Sequence, residues 1–134
     1  MTCPCGSQNQ YEVCCKPLHS GEEIAETAVK LMESRYCAFV VKAYDYLEET
    51  TDPQTTFNFD HKGNKEWGNS VEFQKLEILS SEEVRNKGSV EFKVHFKKDG
   101  VLHIHHELSR FRRLEGFWYF RDGKLMDTAL MPLT

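Results

Sequence analysis

Two periodicities divide the chain. In the first half, Ile24, Ala28, Leu31, Met32 and Arg35 recur at helical spacing on one face. Ser20 and Glu23 have the spacing of a capping box, so the pattern predicts a helix that opens near Gly21 and runs on through Tyr36 to Val41. Tyr44 to Glu49 predicts a shorter second helix, stopped by Thr50, Thr51 and Asp52-Pro53. Residues 51 to 65 are polar, with Phe57 and Phe59 as anchors, and read as a loop containing at most one short helical turn.

From Trp67 the period changes to two. Val71 to Leu79, Val90 to Lys97, Val101 to Leu114 and Phe117 to Arg121 read as four strands. Lys98-Asp99-Gly100 and Glu115-Gly116 supply tight turns between the last three, which makes an antiparallel meander. Val90, Phe92, Val94 and Phe96 alternate with Glu91, Lys93, His95 and Lys97, so one face packs and the other is wet. Helices laid on the concave side of such a sheet give a layered α+β domain. The chain shows neither an internal repeat nor a low-complexity segment.

The third strand carries the candidate chemistry of this domain. Alternation from Leu102 through Ile104 to Leu108 predicts His106 and Arg110 on the apolar face. Arg35, on the packed face of the first helix, is expected to reach the same place. Arg35, His106 and Arg110 are therefore candidates to bind a small polar or anionic ligand in a pocket between helix and sheet. The alternative is a structural network in which Glu107 or a backbone carbonyl satisfies them. His103 and His105 are expected on the exposed face, with no carboxylate or cysteine to complete a metal set. Asp45 and Asp60 stand in no diagnostic motif, and the default for each is a solvated carboxylate. The chain lacks a glycine-rich phosphate loop, a Gly-x-Ser-x-Gly elbow and a His-Glu-x-x-His helix.

Composition narrows the setting. The 134 residues, 40% hydrophobic and 28% charged, suit one folded domain with a small appendage and argue against a disordered chain. No apolar run approaches the ~18 to 20 residues of a membrane span, and Met1-Thr2-Cys3-Pro4-Cys5-Gly6 shows no secretory signal, so a cytoplasmic protein without a membrane role is expected. A formal charge of −4 gives no strong nucleic-acid signal.

Cysteine changes the picture more than charge does. Of five cysteines, Cys3, Cys5, Cys14 and Cys15 lie in the first fifteen residues and Cys37 stands apart. In a reducing compartment such a cluster suggests a metal before disulfides. Zn²⁺ takes four thiolates in a tetrahedron, and the turn formers Pro4, Gly6, Ser7 and Asn9 let the two pairs meet. Only Tyr11, Val13 and Leu18 could pack here, so ligation would have to supply most of the folding energy of residues 1–19. Two disulfides or four free thiols are the alternative, although a bond between adjacent Cys14 and Cys15 would be strained. His19 follows closely but meets a tetrahedron already full, and Cys37 reads as a small core residue.

The run Cys3-Pro-Cys5-Gly-Ser-Gln-Asn-Gln-Tyr11-Glu-Val-Cys14-Cys15 resembles the SEC-C motif, named for the zinc-binding tail of the preprotein translocase ATPase. Ser34-Arg35-Tyr36-Cys37-Ala38-Phe39, Asp45-Tyr46-Leu47, Glu66-Trp67, Ser109-Arg110-Phe111 and Gly116-Phe-Trp118-Tyr119 extend the resemblance to the YchJ family over nearly the whole chain. The resemblance implies a structural zinc ion on Cys3, Cys5, Cys14 and Cys15. It also implies a cone-shaped domain similar to nuclear transport factor 2 and the cystatins over residues 20–134. That family has no established activity. By analogy with the translocase tail, the motif implies docking on a protein or the ribosome, and a small enzyme or ligand-binding protein using the cone pocket is the alternative. Many members carry a second SEC-C motif after the cone, and none follows Met131-Pro132-Leu133-Thr134 in this sequence.

Overall fold

A computed structural model describes residues 1–126. The segment Met131-Pro132-Leu133-Thr134, named above, lies outside the described residues. Among the described residues four α-helices, α1 (Lys16–His19), α2 (Ala28–Val41), α3 (Tyr44–Glu49) and α4 (His61–Ser70), precede four strands, β1 (Glu72–Val84), β2 (Lys87–Lys98), β3 (Val101–Leu114) and β4 (Phe117–Leu125). The strands form one antiparallel sheet in the order β1-β2-β3-β4, with the helices on one side, which is the expected α+β meander.

The first long helix begins later than the capping box suggests. Ser20 and Glu23 do not cap it; Thr27 does, its side chain accepting from the Lys30 amide at 3.0 Å. Ser20 Oγ instead bonds to the Pro17 carbonyl, and Gly21 has a positive φ of 85°, which closes α1 and turns the chain. Ala28, Leu31, Met32 and Ala38 then bury one stripe of α2 into the main core with Val90, Phe92, Phe111 and Trp118. The helix ends at Lys42, whose left-handed backbone carries the amide back to the Ala38 and Phe39 carbonyls.

A second difference is α4, in the stretch read as a loop and the start of a strand. Its residues include Gly63 and Gly68 and a single large apolar side chain, Trp67, so no hydrophobic stripe announces a helix. Asp60 does announce it: its carboxylate caps the Gly63 amide at 2.8 Å. Tertiary packing then decides the matter, because the Trp67 ring lies edge-on against Phe39, Phe73 and Phe96.

The sheet register fixes which side chains see the helices. Lys98 pairs with Val101 around Asp99-Gly100, both at positive φ, so Phe96 pairs with His103, Val94 with His105, Phe92 with Glu107 and Val90 with Ser109. Paired residues share a face. The odd-numbered residues of β3 therefore point at the core and the even-numbered ones point away.

A buried carboxylate ties the far end of the sheet to the loop after α3. Asp52, fully buried, accepts a bidentate pair from Arg112 at 2.6 and 2.7 Å and the Gln54 amide at 2.9 Å. Burial, the largest single influence, would raise its carboxyl, but the Arg112 bonds, the Gln54 amide and the charges of Arg112 and Arg121 together outweigh it and hold it below the usual carboxylate range. The Asp52 amide donates to the Phe120 carbonyl and the Phe120 amide donates to the Thr50 carbonyl, which stitches the loop to β4.

Candidate functional site

Two constellations stand out, one on each side of α2. The first is the cysteine cluster. A short hairpin closed by the Cys3 amide on the Asn9 carbonyl brings Cys3 and Cys5 back over a helical turn that ends in Cys14 and Cys15. All four are buried, and their Sγ atoms lie within 4.8 Å of one another. Cys5 and Cys14 sulfurs are 3.6 Å apart, near the edge of about 3.8 Å that a tetrahedron with metal–sulfur bonds of about 2.3 Å requires. None of the five thiols is in a disulfide.

The donor set fits a thiophilic cation. Left to themselves the thiols cannot ionise together: the hydrogen bond from Cys15 draws Cys5 down to about 4, while burial pushes Cys3 up to about 12. Cys15 is raised by its hydrogen bonds to Cys37 and Cys5. A cation in their midst removes the mutual repulsion. His19 is not a ligand. Its Nε2 faces the Ser34 carbonyl at 2.9 Å, and its Nδ1 meets the Tyr11 hydroxyl at 2.8 Å. Burial lowers its pKa and keeps the ring neutral, with Nε2 as donor and Nδ1 as acceptor. Leu18 joins the main core and Tyr11 and Val41 pack on the cysteines, so the knuckle is seated on α2.

The second constellation is a cavity of about 780 Å³ between the helices and the sheet. Met32, Arg35, Tyr36 and Phe39 of α2 and Asn64 and Trp67 of α4 form one side. Phe73, Phe92, Val94, His105, Glu107 and Ser109 form the sheet side, with Phe59 and Phe120 at the end. Aromatic side chains make most of the apolar wall, Thr51, Thr55, Asn58, Asp60, Arg121 and Asp122 also line the cavity, and a polar chain along β3 forms the floor. Ser109 Oγ donates to one Glu107 oxygen at 2.5 Å, and His105 Nε2 bonds the other at 2.8 Å. Burial raises the Glu107 carboxyl, but these two bonds, helped by the charges of His105 and Arg35, outweigh it and leave Glu107 below its ordinary range. Gly123 of β4 makes room for that carboxylate, since a Cβ there would collide with it.

Arg35 reaches the cavity as expected, its guanidinium 4.5 Å from the centre of the Phe120 ring. It also donates to the Leu47 carbonyl at 2.9 Å and Thr50 Oγ1 at 2.7 Å, and burial lowers its pKa to about 10. His106 and Arg110 do not join it. Both lie on the outer face of the sheet, where His106 Nε2 bonds Glu91 at 2.7 Å and Arg110 makes a bidentate pair with Asp122. The expectation failed because it followed the apolar residues Leu102 and Ile104, which stand 58% and 47% exposed on that face. The residues it missed, His105, Glu107 and Ser109, were within reach of the Asp99-Gly100 turn, which sets their register against Val94, Phe92 and Val90. Asp45 enters neither constellation, and Asp60 lines the cavity while capping α4.

Comparison with known proteins agrees with both halves. The family described as YchJ, middle NTF2-like domain, matches residues 27–123. This chain belongs to the YchJ family. A UPF0225 protein of Geobacter sulfurreducens is 40% identical over 124 residues, covering 90% of this chain and 77% of the relative. The solution structure of a SEC-C motif containing protein from Rhodopseudomonas palustris has a TM-score of 0.88 at 41% identity, covering 95% of this chain and all of that one. A crystal structure of a SEC-C motif containing protein from Psychrobacter arcticus gives 0.82 at 31% identity, over 96% of this chain and 84% of that one. The YchJ-family fold is thus an NTF2-like cone bearing a SEC-C cysteine cluster, and no helix among its described residues is long and apolar enough to cross a membrane.

Proposed function

We propose that this YchJ-family chain is a cytoplasmic small-ligand-binding protein whose cone cavity takes a flat, largely apolar molecule, while the cysteine cluster holds a structural zinc ion. The observation that carries this reading is the cavity itself. Its volume of about 780 Å³ falls within the roughly 300 to 1,000 Å³ of small-molecule sites, and aromatic side chains supply most of its apolar wall. Glu107, ionised and half-engaged by His105 and Ser109, favours a ligand that presents an N–H or O–H donor to the floor. The anionic ligand expected from the sequence loses its main support, since Arg110 is paired with Asp122 and His106 with Glu91. Four thiolates complete a tetrahedron, so zinc held there would stabilise the knuckle and leave no coordination position for a substrate.

A fragment screen by NMR tests the cavity. Bound fragments are expected to shift the Trp67 indole and residues of Phe120 and His105, and Asn64→Trp, which adds bulk to the half-exposed wall, is expected to abolish those shifts. Fragments that bind elsewhere, or shifts that survive Asn64→Trp, would refute the reading. A second reading, docking of the knuckle on a protein or the ribosome, is favoured by Val13 and Met1, which stand 74% and 62% exposed on its surface. Capture from native-host lysate of one identified ribosomal or chaperone partner by the intact chain, lost in Val13→Asp, would support it.

A further inference from the structure

The cysteine cluster is not self-contained. Two side chains of the cone domain reach its sulfurs, and both come from α2. Lys30 Nζ lies 3.3 Å from Cys14 Sγ, and Cys37 Sγ lies 3.8 Å from Cys3 Sγ. Lys30 and Cys37 are seven residues apart, two helical turns, and so share one face of the helix. Among the described residues Lys30 makes no ion pair with a carboxylate within 4.0 Å, and Cys37 is fully buried, in no disulfide, against the cluster.

We propose that Lys30 and Cys37 form the outer shell of the metal centre, each donating a hydrogen bond to a metal-bound thiolate. The direction of each bond follows from chemistry. A metal-bound cysteine has lost its proton, so the proton between Cys3 and Cys37 must belong to Cys37, and the one between Cys14 and Lys30 to the ammonium. By the same reasoning Ser7, 3.1 Å from Cys14, donates from within the knuckle. Four thiolates around a divalent ion leave a charge of about −2, which is costly in a buried site. Lys30 offsets half of it. The cysteines would thus be bound to the metal in a geometry that the cone helps to set, and metal affinity becomes a property of both halves of the chain.

The inference rests on the metal reading proposed above, and its test separates the two. The full-length reduced protein is titrated with cobalt(II), and zinc affinity is then measured by competition with a chromophoric chelator. The variants are Lys30→Met and Cys37→Val, with Lys30→Arg and Cys37→Ser as conservative partners. Loss of an outer donor is expected to weaken metal binding 10- to 100-fold in Lys30→Met and Cys37→Val, the usual cost of removing such a partner. The cobalt–thiolate charge-transfer band should keep its intensity, which counts four sulfur bonds, and move to lower energy as the thiolates lose a donor. Lys30→Arg and Cys37→Ser should restore both affinity and band position. Affinities within threefold of the wild type with an unmoved band would overturn the proposal. So would loss of a quarter of the band intensity in Cys37→Val, which would make Cys37 a ligand. Wild-type protein that takes up no cobalt or zinc would overturn the metal reading itself. Lys30 is half-exposed, so Lys30→Met leaves no core cavity and keeps the test readable if Cys37→Val disturbs packing.

Discussion

Glu107→Gln probes the cavity floor with the smallest change of shape. The native carboxylate accepts from Ser109 on one oxygen and pairs with His105 on the other, while its side chain is only 18% exposed. An amide has one accepting oxygen, so one of these charge-assisted bonds is lost, at a cost of roughly 1.5 to 3 kcal/mol. Taking about 2 kcal/mol and about 4 °C per kcal/mol for a chain of this size, the melting temperature should fall by about 8 °C at pH 7. The difference should also depend on pH. Because the folded-state carboxyl lies below its ordinary value, its contribution is fully present above the unfolded pKa of about 4.3 and is lost as pH falls through the folded value. Thermal melts of both proteins from pH 7 down to pH 3 should therefore converge on acidification, and metal loss at low pH affects both alike. A variant within about 2 °C of the wild type at pH 7, or a gap that does not narrow with acid, would refute the account.

Gly123→Ala places a methyl where the Glu107 carboxylate lies, and should reproduce the stability loss of Glu107→Gln and weaken fragment binding in the same NMR titration. Arg110→Ala, by contrast, removes an exposed pair with Asp122 on the outer face, where the arginine side chain is 62% exposed. It should leave the urea-melt midpoint close to that of the wild type and leave cavity binding unchanged. Stripping the metal with a strong chelator under reducing conditions should expose the amides of residues 1–19 to hydrogen exchange, while β2 and β3 stay protected, because the knuckle contributes little more than Leu18 to the main core.

The sequence was most legible where one periodicity dominated. Val90, Phe92 and Val94 alternate cleanly and lie in the core, as expected, and the four cysteines converge as their spacing and the family resemblance implied. It was least legible where local and non-local signals disagreed. In β3 the local signal, Leu102 and Ile104, pointed to the outer face, whereas the non-local one, the turn at Asp99-Gly100, set the true register. A one-residue error of parity exchanged the whole polar set, putting His106 and Arg110 where His105, Glu107 and Ser109 belong. Trp67 failed for a related reason. Its helix is specified by aromatic neighbours that arrive from α2, β1 and β2, and nothing within residues 61–70 other than the Asp60 cap carries that information.

The sharing of α2 bears on how such proteins can be taken apart and recombined. Its 14 residues turn Lys30 and Cys37 toward the cysteines while Met32, Arg35, Tyr36 and Phe39 line the cavity. One inserted residue within that span would rotate everything beyond it by about 100° and break the alignment of one centre with the other. The chain therefore has a seam in its sequence near residue 20 but none in its wiring. A knuckle transplanted from a relative would fit only if the outward face of the recipient's helix travelled with it, so the two halves are expected to be exchanged between proteins as a unit, with α2 as the part that cannot be cut.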